Sequence, residues 1–195
     1  VGFNAHVTVE PNENPIDEKK LKNINLKSIS KEIIFSNSGE AIVIKTKYTK
    51  GIVLRGYRKN DFSKLDLVNN KHFIGDANNL TKNNISIGKE LSFNLNLKIG
   101  DKLTIMSPSG IETIIGNLPK QESFIINSIF DSGLADFDQN VAFININSLE
   151  SLFDINKKDR NLEIYLKDPV NIETNKLIVQ KIFNEEFVYS WSDMN

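Results

Sequence analysis

The stretch Ser107-Pro-Ser-Gly-Ile-Glu-Thr-Ile-Ile-Gly-Asn-Leu-Pro-Lys120 carries the most telling pattern of this chain. Before it, Lys102 to Met106 reads as a strand entered through the Gly100-Asp101 turn; after it, Phe124 to Phe130 is rich in Phe and Ile, as strands are. The two runs are expected to pair as a hairpin, so that the segment between them projects as a loop. Its apolar residues Ile111, Ile114, Ile115 and Leu118 stand where turn chemistry favours small polar ones. An exposed apolar cluster marks a place where something binds. The alternative is that the tip folds back on its own core.

Composition bounds the rest. A chain of 195 residues with 39% hydrophobic and 25% charged side chains is ordinary for a globular protein and is long enough for one domain or two small subdomains. No run approaches the roughly 18 to 20 apolar residues that cross a bilayer, and the first residues do not read as a basic region followed by an apolar core and a cleavage site. The sequence opens on Val1-Gly-Phe-Asn-Ala-His-Val-Thr-Val9, without an initiator Met and already strand-like. It therefore reads as a piece of something longer, whose flanks are candidates for membrane helices. The 24 basic and 25 acidic residues are interspersed, so no basic stripe exists for a phosphate backbone and nucleic acid is not an expected partner. The lack of cysteine excludes disulfides and thiolate metal sites and leaves the compartment open.

Along the chain, Val7 to Val9 reads as a strand, followed by a helix capped by Asn14-Pro15 and running through Leu21 and Ile24. Ile33 to Phe35, Ala41 to Lys47 and Gly51 to Tyr57 read as three strands, the first two separated by Asn37-Ser-Gly39. Residues 60–84 are polar and weakly periodic; Gly88 to Leu95 is helical, with Leu91 and Leu95 on one face. Val141 to Ile146 is a strand, and Asn147-Ser-Leu-Glu150 resembles a capping box before a short helix. At the end, Leu162, Ile164 and Leu166 alternate along a strand, Thr174 to Asn184 is a helix, and Phe187 to Trp191 is a strand. The expected class is α+β, with the two chain ends (1–59 and 160–195) forming a β-α-β subdomain and residues 60–159 inserted as a β-rich one.

Chemistry is sparse. His6 and His72 lie in no metal-binding spacing. Asp131, Asp136 and Asp138 lack the central Gly and terminal Glu of a calcium loop, so Phe130 to Asn140 reads as a turn-rich connection. Ile87-Gly-Lys-Glu90 lacks the flanking residues of a phosphate loop, and Ser132-Gly133 lacks a nucleophile elbow. No cofactor, metal or catalytic residue is expected.

Several segments together resemble a family: Ile87-Gly-Lys-Glu-Leu91, Leu95-Asn-Leu-Lys-Ile-Gly-Asp-Lys-Leu103, Ser107-Pro-Ser109, Ile115-Gly-Asn-Leu-Pro-Lys-Gln121 and Ile129-Phe-Asp-Ser-Gly133. They look like the periplasmic domain of LolC/LolE-type lipoprotein-releasing permeases, a MacB-like periplasmic core domain. Gly2-Phe-Asn-Ala-His-Val-Thr-Val9, Gly51-Ile-Val-Leu-Arg-Gly-Tyr57 and Tyr189-Ser-Trp191 fit the same pattern in register.

The resemblance implies a non-catalytic permease domain in the periplasm, belonging to an ABC transporter in the bacterial inner membrane. Its partners would be a separate LolD-like cytoplasmic ATPase, a second permease subunit, the lipoprotein substrate, the LolA-like carrier that receives it, and the membrane through flanking helices. The implied fold has a Porter-like subdomain from both chain ends and a Sabre-like one between. A protruding hook for the carrier maps onto Pro108, Ser109, Gly110, Ile111, Glu112, Thr113, Ile114, Ile115, Gly116, Asn117, Leu118 and Pro119. A supporting pad maps onto Thr104, Lys120, Gln121 and Glu122. Of these, Gln121 matches the family, whereas Thr104 and Glu122 stand where LolC-type pads have arginines, leaving Lys120 as the local base. The chain thus resembles either a combined LolC/LolE-type subunit or the subunit that meets lipoprotein; the Pro-Ser start and Gly-Asn-Leu-Pro end of the hook favour the carrier-binding form. A MacB- or FtsX-like domain that binds a periplasmic adaptor, and a free-standing hydrolase or binding domain, are the alternatives.

Overall fold

The computed structural model describes residues 3–194, without the side chains of Ser109 and Ile111. Val1, Gly2 and Asn195, which enter the expectations about the chain ends, lie outside the described residues. In chain order the elements are β1 (Val7–Glu10), α1 (Ile24–Ile29), β2 (Ser30–Lys45), β3 (Tyr48–Tyr57), β4 (Ile74–Gly75) and β5 (Asn84–Gly88). They continue with α2 (Lys89–Leu95), β6 (Lys102–Thr113), β7 (Gly116–Phe130), α3 (Ala135–Asn140) and β8 (Val141–Asn145). The last are α4 (Ile146–Phe153), β9 (Asn161–Leu166), α5 (Ile172–Ile182) and β10 (Phe187–Ser190). The chain divides into two compact units, residues 1–36 with 156–195, and residues 37–155.

In the first unit the strand order is β10-β1-β9-β2, antiparallel throughout, with Val7 opposite both Ser190 and Ile164. Inward positions of β1 and β9 (Val7, Val9, Leu162, Ile164, Leu166) meet Val179 and Phe183 of α5 and Leu26 of α1 in one core. The alternation read from Leu162, Ile164 and Leu166 is this buried face. The helix expected after Asn14-Pro15 begins later. Asp17 caps a short 3-10 turn at Glu18–Lys22, and Asn23 caps α1 by accepting from the amides of Asn25 and Leu26.

In the second unit six strands form a closed ring: β2 pairs β3, β3 pairs β8 in parallel, β8 pairs β5, β5 pairs β7 in parallel, β7 pairs β6, and β6 returns to β2. Alternate residues of every strand point into this barrel: Ala41 and Val43, Ile52 and Leu54, Ile85 and Ile87, Leu103 and Ile105, Phe124 and Ile126, Ala142 and Ile144. Side chains of this size fill a small barrel completely. Leu91 and Leu95 of α2 and Leu149 and Leu152 of α4 join the same core. Outside the wall, Phe143 stacks with Tyr57, Phe62 and Phe130 at ring-centroid distances of 5.1–5.8 Å, which fixes the polar 60–84 segment through its few apolar residues.

Three expectations need correction. Ile33 to Phe35 and Ala41 to Lys47 are one strand, β2, because Asn37 does not turn: its side-chain amide donates to Glu150 Oε2 at 2.8 Å, and the Phe153 ring presses on Gly39 where a Cβ would be. The helix read from Asn147 begins one residue earlier, at Ile146, and its cap is Asn145, which accepts from the Asn147 amide. The unit boundaries fall at 36/37 and 155/156, not 59/60 and 159/160, since β2 after Ser36 and all of β3 complete the barrel. Three elements went unread from sequence: β4, β5, and helix α3 inside the supposed turn-rich connection.

Candidate functional site

The segment between Met106 and Phe124 is not an irregular loop. β6 and β7 remain paired almost to the tip, with Ile111 opposite Leu118, Glu112 opposite Asn117 and Thr113 opposite Gly116. Only Ile114 and Ile115 form the turn. Gly116 follows at φ 117°, a conformation L side chains rarely adopt, and Thr113 Oγ1 donates to the Gly116 carbonyl at 2.6 Å. The ladder is interrupted once, between Ser107 and Ile111, where three residues of β6 face Pro119 alone on β7. Pro108 and Pro119 both sit in this bulge, where the missing amide hydrogens break no pairing.

The result is a hairpin arm whose end is apolar and in water. Ile114 is fully exposed, Ile115 is 87% exposed and Leu118 50% exposed. The tip therefore does not fold back on its own core. Leaving two isoleucines in solvent forgoes about 1.5–3 kcal/mol each of burial free energy, which a partner surface would recover. Glu112 and Asn117, on the rung below Thr113 and Gly116, are exposed as well.

The four pad positions occupy two faces of the hairpin. Strand alternation puts Thr104, Met106, Gln121 and Ser123 on one face, where Thr104 Oγ1 and Ser123 Oγ lie 3.2 Å apart and Gln121 Nε2 is 3.7 Å from Met106 Sδ. Glu122 pairs with Ile105 and Lys120 with Ser107 on the opposite face, which is the barrel interior further down the strands. Lys120 reaches α4: its Nζ is 2.6 Å from the Ser151 carbonyl oxygen and 3.4 Å from Ser151 Oγ. That link joins residues 31 apart in the chain, and no local pattern announces it.

The remaining sequence candidates resolve into structural roles. Asp131 accepts from the Gly133 amide and pairs with Lys89 at 3.2 Å, and these partners hold its carboxyl below the usual range against the opposing effect of desolvation. Asp138 is buried and accepts from the Ser132 amide; burial pushes its carboxyl up. His6, half-buried in the first unit, accepts at Nδ1 from the Leu166 amide at 2.9 Å. Among the described residues, no group of three His, Asp or Glu is placed to hold a metal ion.

No protein-family model matches the chain. The lipoprotein-releasing system transmembrane protein LolC of Neisseria meningitidis serogroup B is 24% identical over 171 residues, which is 86% of this chain and 39% of that protein. The chain resembles LolC. LolC of Xylella fastidiosa strain Temecula1 is 24% identical over 102 residues, 51% of this chain and 25% of the other. The chain thus spans well under half the length of the LolC proteins it matches. In fold it is similar to the periplasmic region of MacB from Actinobacillus actinomycetemcomitans, with a TM-score of 0.55 and 9% identity over all of this chain and 92% of that one. Among the described residues no helix is long and apolar enough to cross a membrane.

Proposed function

We propose that this chain is the periplasmic domain of an inner-membrane ABC transporter permease that releases lipoproteins and passes them to a LolA-like periplasmic carrier through the Pro108 to Pro119 hook. The observation that carries the reading is the exposed Ile114-Ile115 tip on a hairpin with a bulged, proline-flanked root. An apolar tip on a preordered arm suits the mouth of a carrier built to hold acyl chains, because little conformational freedom is lost on docking. The sequence resemblance to LolC supports the same assignment. β1 and β10 are antiparallel neighbours, and the Trp191 amide donates to the His6 carbonyl at 2.9 Å. The two ends of the described chain thus lie side by side, as in a domain looped out between two membrane helices. Motion driven by a LolD-like ATPase would enter through these ends. The second permease subunit, the lipoprotein and the inner-membrane location belong to the same proposal, and no catalytic step is assigned to the domain.

The test is binding of the LolA-type carrier encoded in the same genome to the 195-residue chain, measured by calorimetry. Micromolar binding that is lost when the hook tip is altered supports the reading. A chain that ignores the carrier but binds a periplasmic adaptor would move it to the alternative, adaptor-binding reading.

A further inference from the structure

We infer that Lys120 is a positioning residue for the hook: its ammonium ties β7 to the C-terminal turn of α4 and fixes the direction in which the hairpin leaves the barrel. The inference rests on the hook reading above and assigns a role to a base that sequence would place in the docking pad. Lys120 lies on the last regular rung, opposite Ser107, directly before the interruption at Pro108 to Gly110. On the hook side of that rung β6 bulges while β7 runs straight through Pro119, so β7 is the strand whose course sets the arm.

The far end of the tie is rigid. The last four carbonyls of a helix lack intrahelical partners, and a cation there satisfies one of them and meets the negative end of the helix dipole. In α4 the Glu150 carbonyl accepts from the Ile155 amide, and the next carbonyl, Ser151, accepts from Lys120. The helix itself is fastened by the Asn37 to Glu150 bond at 2.8 Å, the Ser148 hydroxyl to the Lys82 carbonyl at 2.7 Å, and buried Ile146, Leu149 and Leu152. With two of its three donors directed at Ser151, Lys120 is spent on the domain's own framework.

Leverage makes the tie matter. From Lys120 to the tip is five residues of strand, roughly 16 Å. A 10° error at the root displaces the isoleucines by roughly 3 Å, comparable to the whole contact range of apolar side chains.

The experiment compares Lys120→Met and Lys120→Arg with the unaltered 195-residue chain. Spin labels on Glu112 and Lys102 report the hook-to-barrel distance distribution, and carrier titration at low and high salt reports binding. Lys120→Met should broaden the distance distribution and weaken carrier binding up to about fivefold, with the salt slope unchanged, while Lys120→Arg restores both. An unchanged distribution in Lys120→Met overturns the inference, as does a salt slope that falls by one charge, which would make Lys120 a docking group. Failure of the unaltered chain to bind carrier sinks the hook reading alone, because the distance measurement still tests the tie.

Discussion

Gly110 turns against the backbone of Leu118 so closely that a Cβ on Gly110 would lie 2.2 Å from the Leu118 carbonyl oxygen. Its φ of +55° is likewise in the left-handed region. Both facts belong to the bulge that lets β6 take three residues to β7's one, and a side chain there must push the hook strands apart. Gly110→Val should cost about 1–3 kcal/mol of local strain. Amide exchange from 111 to 118 should accelerate while amides of the barrel core stay protected. Uniform loss of protection across the barrel would mean that the hook root is part of the core.

Ile114→Asp with Ile115→Asp should abolish carrier binding and leave the melting temperature unchanged, since both side chains are in water. Two aliphatic contacts at about 1.5–3 kcal/mol each are a large share of the roughly 8 kcal/mol that holds a micromolar complex. Calorimetry of carrier against the double variant decides it, with retained binding counting against the tip.

How much of this was legible in sequence differs by element. Strand β9 and helix α5 could be read because their core residues recur at strand and helix spacing, Leu162, Ile164 and Leu166 in the one and Val179 with the following Phe183 in the other. β2 could not: Asn37-Ser-Gly39 has turn chemistry, and the Glu150 and Phe153 side chains that meet it in the extended strand come more than a hundred residues later. Barrel closure is equally hidden, since the pairing of Ile42 with Met106 has no local signature. At the hook, the apolar tip and the prolines were visible. The strand pairing out to Thr113 and the Lys120 tie were not, because the residues that carry them are ordinary for a loop.

Asp138 supplies a pH signature. Burial raises its carboxyl above the usual value, and the charges of Asp131 and Glu90 add to this against hydrogen bonds from Ser132. As pH rises past the unfolded carboxyl, at about 3.9, the unfolded chain ionises first, so this group lowers stability through the window up to its raised native value and restores it on acidification. Asp138→Asn keeps an acceptor for the Ser132 amide and removes the charge. Thermal melts should show the variant at least as stable as the parent at pH 7, with the difference closing towards pH 4. A variant that is less stable at pH 7 would show that the hydrogen bonds outweigh burial.

Asp193 behaves in the opposite sense. The Lys176 ammonium at 2.7 Å, with the Ser190 amide and hydroxyl, holds its carboxyl down to about 2. Its contribution is complete above the unfolded value and is lost as pH falls from about 4 towards 2. Trp191 fluorescence should report loosening of the β10 end over that window, and Asp193→Asn should show the loosened state already at pH 6. Identical titrations of parent and variant would remove Asp193 from this role.

The division of the pad between two faces changes what restoring its arginines should do. Thr104 shares a face with Gln121, whereas Glu122 shares one with Ile105 and Lys120. Arginines at 104 and 122 would therefore point apart and form no single basic patch. With Lys120 engaged by Ser151, few free charges flank the hook, and carrier binding by the unaltered chain should depend only weakly on salt over a Debye length of about 8 Å. Thr104→Arg should raise affinity and salt sensitivity together if the carrier rim is acidic and meets the Gln121 face, by up to about fivefold at low salt. Glu122→Arg should then do less, because its side chain leaves the hairpin on the other side. Titrations of both single variants at two salt concentrations separate the faces. If Glu122→Arg has the larger effect, the carrier approaches from the side of α4, and the Lys120 tie lies inside the interface.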